Sequence, residues 1–579
     1  MRFTIVSLAA LSLASSSLAA VVPRWHYALS CSDLWQAAPK MLPNLEVYIA
    51  EDVAAGSTLP ANSPFSTPAY NQAVPDLPAF CRFGAYIHTS NMSKVQFEVW
   101  LPDVWSGRYA MVGNGGDAGG VNFPDMWAPL TKYNMVVAST DTGHNGTAFD
   151  PTFAINNPES QIDFGYRAVH LTTEYSKTIL AAYYGKKQDY SYWLGCSSGG
   201  KQGLKEVQMF PHDYDGVVAG AAAQWYVFPS PKPAVPIPPA AKSRSREASW
   251  PHLNGYTYAV NAIVNPIGSA GHLNATDYAT IAAEVMKQCD TLDGVQDGIL
   301  TNAQLCHPDL SPLLCSAPNA NATSCLSQAK IDTMKNIWGN WTAQTDAGYP
   351  KGTFLFPGFA VGAESNPFFS VTGQAFPPGP GYFQYQILNY TNPAVTYSGN
   401  ESQTEYLVKL ADEIDPGMTN AEDPNIGEFL KHGKLLTYVG GADVLIPTYS
   451  TTYYRKLVAD ALGNDNLDDT YRTFIAPGVS HCSGGRGADG FGGPGQRQDS
   501  LGGQSQPLVY DAHHDMTLAM FDWVEKGKAP DYIIAAKYNN NNKTQGVAFT
   551  RPLCPYPQFA KYIGGNTTEA SSFECAYDW

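Results

Sequence analysis

A chain of 579 residues with 44% hydrophobic and 15% charged side chains can bury a large core and is too apolar to be intrinsically disordered. Its formal net charge is −16, and no basic run exceeds Lys242-Ser243-Arg244-Ser245-Arg246, which argues against nucleic acid as a partner. Beyond the N-terminus no stretch approaches the roughly 20 apolar residues of a membrane helix, so no membrane partner is expected either.

Taken in chain order, Met1-Arg2 leads into an apolar run from Phe3 to Ala14 that ends at the small residues Ser17-Leu18-Ala19-Ala20. Residues 1–20 therefore read as a secretory signal peptide cleaved near Ala19 or Ala20. An extracellular destination agrees with ten cysteines, an even number, and with acceptor sequons at Asn91, Asn145, Asn274, Asn321, Asn340, Asn389, Asn400, Asn542 and Asn566. A glycosylated, disulfide-bonded secretion product is expected.

The mature chain opens with Cys31 and Cys81 on either side of a Pro/Ser/Gly-rich loop, Ser57 to Pro68. Val95 to Pro102 alternates like a half-buried strand, and Arg108 to Val112 reads as the next. That strand enters Gly113-Asn114-Gly115-Gly116-Asp117-Ala118-Gly119-Gly120. No Gly-Lys-Ser/Thr follows, which excludes a P-loop. In a hydrolase such a loop would present the N–H of Gly116 or Asp117 to an oxyanion. Met135 to Asp141 is a buried strand, and Phe164 to Gly185 is a helix.

A strand from Tyr192 then runs into Gly195-Cys196-Ser197-Ser198-Gly199, a Gly-x-Ser-x-Gly turn of the kind that lifts a nucleophilic serine off the end of a sheet. The N–H of Ser198 would lie at the start of the helix that follows, where the dipole favours negative charge. That helix is expected from Gly203 to Phe210, stopped by Pro211. Alone, the motif is a weak signal in a chain with 52 glycines. Asp215 to Ala221 is the next strand, and the order so far predicts an α/β fold with a mostly parallel sheet.

From about Gln224 to Asn425 the alternation lapses. This stretch is rich in Pro, Gly and aromatics, including Phe354, Phe356, Phe359, Phe368, Phe369, Phe376, Tyr382, Phe383 and Tyr385, and holds Cys289, Cys306, Cys315 and Cys325. It reads as a lid, residues 224–425, inserted into a catalytic domain made of residues 21–223 and 426–579. The alternation resumes with a strand from Gly433 to Gly440 that leads to Asp443. A helix from Tyr449 to Leu462, a strand from Tyr471 to Ile475, a loop holding His481 and a helix from Asp515 to Lys526 follow. A tail carries Cys554 and Cys575.

An acyl-transfer serine needs a neutral imidazole as base and a carboxylate to hold that imidazole's tautomer. Ser197, Asp443 and His481 come in the chain order of α/β-hydrolases, each on a loop after a strand. His144 and His170 are rivals for the base, His170 being on a helix and better suited to packing. Cys196 precedes the serine and Cys482 follows the histidine. If Ser197 and His481 touch, these neighbours fall within the roughly 4.4 to 6.8 Å that a disulfide spans between Cα atoms.

Gly195-Cys196-Ser197-Ser198-Gly199-Gly200, Gly441-Ala442-Asp443 and Ser480-His481-Cys482 together resemble the Cys-Ser, Asp, His-Cys pattern of the fungal tannase and feruloyl esterase family. The resemblance extends to Arg551-Pro552-Leu553-Cys554-Pro555-Tyr556-Pro557 and covers nearly the whole mature chain. It implies a secreted serine esterase with an α/β-hydrolase fold and a large inserted lid. It further implies the disulfides Cys196–Cys482, Cys31–Cys81, Cys289–Cys306, Cys315–Cys325 and Cys554–Cys575. The family's lid holds a structural calcium, and Cys289-Asp290-Thr291-Leu292-Asp293-Gly294-Val295-Gln296-Asp297-Gly298-Ile299 matches that segment. The carboxylates of Asp290, Asp293 and Asp297 and the carbonyls of Val295 and Ile299 would supply hard oxygen ligands. The spacing is not that of an EF-hand, and no organic cofactor is implied. Asp117 departs from the aromatic or apolar residue expected in the oxyanion loop.

The expected activity is two-step hydrolysis of phenolic acid esters, free or attached to plant polysaccharide. Ser198 after the nucleophile is closer to feruloyl esterases than to tannases, which places hydroxycinnamate esters first and gallate esters second. A non-catalytic carbohydrate-binding glycoprotein on the same fold is the alternative from another class.

Overall fold

The computed structural model describes residues 28–63, 65–223, 250–318, 321, 323–365, 378–392, 396–496 and 505–577. The expected signal peptide, the basic patch Lys242 to Arg246 and the aromatics Phe368, Phe369 and Phe376 lie outside the described residues.

Nine strands form one sheet: β1 Leu45–Val53, β2 Phe80–His88, β3 Lys94–Pro102, β4 Arg108–Val112, β5 Val136–Thr140, β6 Tyr190–Cys196, β7 Gly216–Gly220, β8 Lys434–Gly440 and β9 Tyr471–Ala476. Their spatial order is β1-β2-β3-β5-β4-β6-β7-β8-β9. From β5 to β9 all five pairings are parallel; the three at the β1 edge are antiparallel. The sheet is therefore mixed: β1, β2 and β3 form an antiparallel edge, of which the sequence pattern marks only β3. That segment also forms helix α1, Cys31–Met41, with Ser30 and Asp33 making a reciprocal N-terminal cap.

The central strands are buried on both faces, and their side chains sort by the two-residue period of a pleated strand. Val112, Val137, Tyr192, Leu194, Val218, Leu436, Tyr438 and Phe474 enter one core. Met111, Val136, Ala138, Trp193, Val217, Ala219, Leu435 and Tyr471 enter the other. Helices cover both faces: α2 Phe123–Tyr133, α3 Ala168–Tyr184, α4 Ser198–Met209, then α5 Trp250–Ala259, α6 Ala275–Cys289, α7 Gln328–Trp338 and α8 Glu401–Ile414, and last α9 Thr448–Leu462 and α10 Met516–Lys526. Helices α5 to α8 and a small hairpin, Trp341–Thr342 with Phe354–Phe356, stand between β7 and β8. None of the nine sheet strands comes from that stretch.

Helix α4 begins at Ser198, five residues earlier than its composition suggests, and ends at Met209. One serine and two glycines make a poor first turn by propensity, but packing overrides it. A Cβ on Gly199 would stand 3.1 Å from the Cα of Gly113, and one on Gly200 would collide with the carbonyl oxygen of Gly220. Strand and helix meet at a distance that only glycine permits.

The register fixes where the strands end. Val112 pairs with Leu194, Cys196 with Gly220, Tyr438 with both Gly220 and Phe474, and Gly440 with Ala476. Strands β4, β6, β8 and β9 thus finish side by side, and the loops that leave them carry Gly113 to Gly120, Ser197, Asp443 and His481. Ligand sites of open α/β sheets lie at this carboxyl edge.

Candidate active site

Ser197 sits at the tip of β6 with φ 65° and ψ −126°, a strained conformation for a residue with a Cβ. The strain is held from three sides: its N–H donates to Gly220 O at 2.9 Å, and its own carbonyl accepts from Lys201 N at 3.0 Å and Ala223 N at 3.2 Å. The side chain is half-buried, at the N-terminus of α4, where the first amides have no intrahelical acceptor.

Asp443 follows β8 and is fully buried. Its Oδ1 accepts from the N–H groups of Leu445 at 2.8 Å and Ile446 at 2.9 Å, which leaves Oδ2 for His481 Nδ1 at 2.9 Å. That bond puts the proton of a neutral imidazole on Nδ1 and frees Nε2 to act as base. The two loops are also joined through their backbones, Ala442 N–H donating to Val479 O at 2.9 Å. Cys196 and Cys482 form a disulfide with Cα atoms 6.1 Å apart, so the residues next to Ser197 and His481 are covalently tied across 286 positions of sequence.

The glycine-rich loop, residues 113–120, corrects one expectation. Asp117 N–H is committed to Ala148 O at 3.0 Å, so Asp117 does not supply the second donor. Asn114 N–H donates to Gln202 Oε1 at 2.9 Å, Gly115 N–H to Tyr70 Oη at 2.9 Å and Ala118 N–H to Gly115 O at 3.0 Å. Among amides 114–118, only that of Gly116 has no partner among the described residues. Gly116 has φ 58°, and a Cβ there would collide with Ala148 O, so the loop conformation requires glycine.

The Asp117 side chain points into the protein instead. It is 1% exposed, and its Oδ1 has no hydrogen-bond partner. Burial pushes its carboxyl up to about 7, an effect that the Lys201 charge opposes. Lys201, one turn into α4, is fully buried with its ammonium 4.5 Å from the Phe164 ring centroid and 4.3 Å from that of Trp250. Burial pulls it down to about 7, and the Asp117 charge pulls the other way. These two buried ionisable groups act on each other through their charges without forming a hydrogen bond, and in the sequence only Lys201 in the turn after Ser197 hints at them.

The rival bases are both engaged elsewhere. His144 Nε2 donates to Asp117 O at 2.8 Å while the ring stacks on Phe153, and burial lowers its affinity for a second proton. His170 pairs with Asp213 at 2.8 Å and stacks on Phe210.

The five disulfides pair as the resemblance implied: Cys31–Cys81, Cys196–Cys482, Cys289–Cys306, Cys315–Cys325 and Cys554–Cys575. No sequon asparagine is buried; Asn542 is half-buried and the rest are exposed. In the acidic loop, Asp290 Oδ1 accepts from Gly298 N at 2.7 Å, Asp293 binds Val295 N and Thr301 Oγ1, and Asp297 Oδ2 meets Arg551 at 2.5 Å. Burial raises the Asp293 carboxyl, and the charges of Asp297 and Asp290 add to it. The three carboxylates do not bring one oxygen each within 4.8 Å of one another; Asp297 is turned to Arg551. The donor set suits calcium chemically, and Asp297 must leave Arg551 to complete it. No helix among the described residues is long and apolar enough to cross a membrane.

The family model described as "Tannase and feruloyl esterase" matches residues 81–230 and 248–576. A probable feruloyl esterase B-2 from Neosartorya fischeri is 31% identical over 546 residues, 92% of this chain and 93% of that protein. The crystal structure of feruloyl esterase B from Aspergillus oryzae aligns with a TM-score of 0.78 at 29% identity, over 94% of this chain and all of that one. Tannin acyl hydrolase from Aspergillus niger shares the fold, with a TM-score of 0.68 at 19% identity over 94% of each chain.

Proposed function

This chain belongs to the tannase and feruloyl esterase family of carboxylic ester hydrolases, and from that premise we propose that it cleaves hydroxycinnamate esters, releasing ferulate-type acids, with Ser197, Asp443 and His481 as its catalytic residues. The observation that carries the assignment of residues is the Asp443–His481 hydrogen bond held beside Ser197 by the Cys196–Cys482 bridge.

In the first step Ser197 Oγ attacks the ester carbonyl while His481 Nε2 takes its proton; Asp443 stabilises the imidazolium. The N–H groups of Ser198 and Gly116 receive the developing oxyanion, each donor contributing roughly 3–4 kcal/mol to the transition state. His481 returns the proton to the leaving alcohol, and a water activated by the same imidazole then cleaves the acyl-serine. The names of the relatives support the hydroxycinnamate class.

Secretion after removal of residues 1–20, with glycans on the exposed sequons, completes the reading; five disulfides in one chain support an oxidising destination. A structural calcium would be held by Asp290, Asp293 and Asp297 with the carbonyls of Val295 and Ile299, where it would neutralise the carboxylates that now crowd Asp293. Depleting calcium with a chelator should lower the melting temperature reversibly, and Asp290→Asn should abolish that response; a melting temperature indifferent to calcium refutes the site.

The function is tested by initial rates on methyl ferulate, methyl caffeate, methyl p-coumarate and methyl gallate, for the wild type and Ser197→Ala. Preference for a cinnamate, lost in the variant, is expected. Preference for gallate would make the chain a tannase, and turnover that survives Ser197→Ala would remove Ser197 as nucleophile.

A further inference from the structure

The end of α4 remote from Ser197 carries a second cluster of chemically active side chains. Glu206 lies near the last turn of α4, His170 in the first turn of α3, and Asp213 in the turn between α4 and β7. One ligand atom from each lies within 4.8 Å of the others. His170 Nδ1 is 2.8 Å from Asp213 Oδ2. Glu206 is 1% exposed, and neither of its carboxylate oxygens has a hydrogen-bond partner. The His170 and Asp213 side chains are 20% and 17% exposed, so the cluster has a buried floor and an opening to solvent.

A carboxylate buried without a partner is costly unless a cation or a proton answers it. The neighbouring cations are occupied: Lys177 donates to the backbone carbonyl of Asp213, not to its carboxylate, and Lys205 donates to Asn420 O at 2.6 Å. Glu174 adds a further negative charge, its Oε2 standing 3.6 Å from His170 Nε2. Stacking on Phe210, with ring centroids 3.6 Å apart and planes 7° from parallel, holds the imidazole in place over the cluster.

We propose that His170, Glu206 and Asp213 form a binding site for a divalent transition metal of the zinc class. One imidazole and two carboxylates, with a fourth position open to water on the exposed side, is a donor set and geometry that suits zinc. The imidazole sets it apart from the all-oxygen set of the acidic loop, which suits calcium. An ion here ties the end of the helix that starts at Ser197 to α3 and takes the place of the proton now lying between His170 and Asp213.

The competing account is a proton shared by Glu206 and Asp213, which would satisfy the buried carboxylate without metal. To decide, full-length protein is stripped with a chelator, resaturated with calcium so that the acidic loop is filled, and titrated with cobalt(II) and then zinc(II). Expected are one equivalent of cobalt with a visible ligand-field band, displacement of that band by zinc, and at least about tenfold weaker binding in both Glu206→Gln and His170→Asn, with circular dichroism unchanged. His170 is partly exposed, so its replacement tests the site even if the Glu206 variant folds poorly. A wild type that takes up neither metal, or variants that bind as tightly as the wild type, overturns the proposal.

Discussion

The two ends of helix α4 set up the same electrostatic problem with opposite signs. A helix favours anions at its N-terminus and cations at its C-terminus, yet α4 buries Lys201 in its first turns and Glu206 in its last ones. At the first end the answer comes from within the chain: the Phe164 and Trp250 rings lie against the ammonium, which has no hydrogen-bond partner among the described residues, and the Asp117 charge favours its protonated form. At the other end burial and the nearby Asp213 charge push the Glu206 carboxyl well up, and Lys177 and Lys205 only temper this. The difference teaches that neither charge is placed for helix stability. One belongs to the packing beneath the oxyanion loop, and the other is left for a ligand to complete.

The largest effect that sharpens this contrast lies at the catalytic end. His481→Gln should lower kcat by about 10^4 to 10^6-fold while moving the melting temperature little, because the side chain is half-buried and its loop is held by the disulfide; comparable turnover in the variant would assign the base elsewhere. Next, Cys196→Ala with Cys482→Ala should cost about 2–5 kcal/mol in chemical denaturation and reduce kcat more than KM changes. Unaltered stability would mean that the hydrogen bonds alone hold the edge together. At the far end, Glu206→Met in chelator should be more stable than the wild type by about 1–3 kcal/mol, since an apolar residue of similar size removes a buried unpaired carboxylate. Added zinc should narrow that gap by stabilising only the wild type, and a destabilised variant in chelator would show that Glu206 is already satisfied.

The smallest effect is a slope. The Asp117 carboxyl is raised from 3.8 to about 7, so between those values the native state holds a proton that the unfolded state has lost, and stability falls as pH rises. Lys201, lowered from 10.5 to about 7, acts in the next window: above pH 7 the unfolded chain holds the extra proton, and stability rises with pH. Stability should therefore fall towards neutrality, a trend that the raised carboxyls of Glu364, Asp515 and Asp412 share, and Asp117→Asn should make the fall shallower by one proton's worth; identical profiles would mean that Asp117 does not titrate in this range.

The two ends were not equally legible in the sequence. Ser197, Asp443 and His481 could be placed because each follows a strand whose apolar run is unmistakable, and because the adjacent cysteines limit how the loops can meet. The cluster of His170, Glu206 and Asp213 has no such signature: its members come from two helices and a turn, and only the packing of α3 against α4 assembles them. The same limit explains the missed antiparallel edge. In β1 the alternation is interrupted by Glu51-Asp52 at its exposed end, and a register shift near Val47 to Ile49 breaks the period that would have revealed it. Asp117 was misjudged as a donor because its N–H is taken by Ala148, a partner 31 residues away that local pattern cannot supply.

The bridge between Cys196 and Cys482 also dictates when the enzyme can come into being. Cys196 leaves the ribosome 286 residues before its partner, and the whole insertion between β7 and β8 is synthesised in the interval. A nascent chain that has completed the turn at Ser197 and the inserted helices still lacks His481 and the cross-link beside it. The loops that carry Ser197 and His481 can therefore be cross-linked only late in synthesis, after the whole segment between β7 and β8 exists.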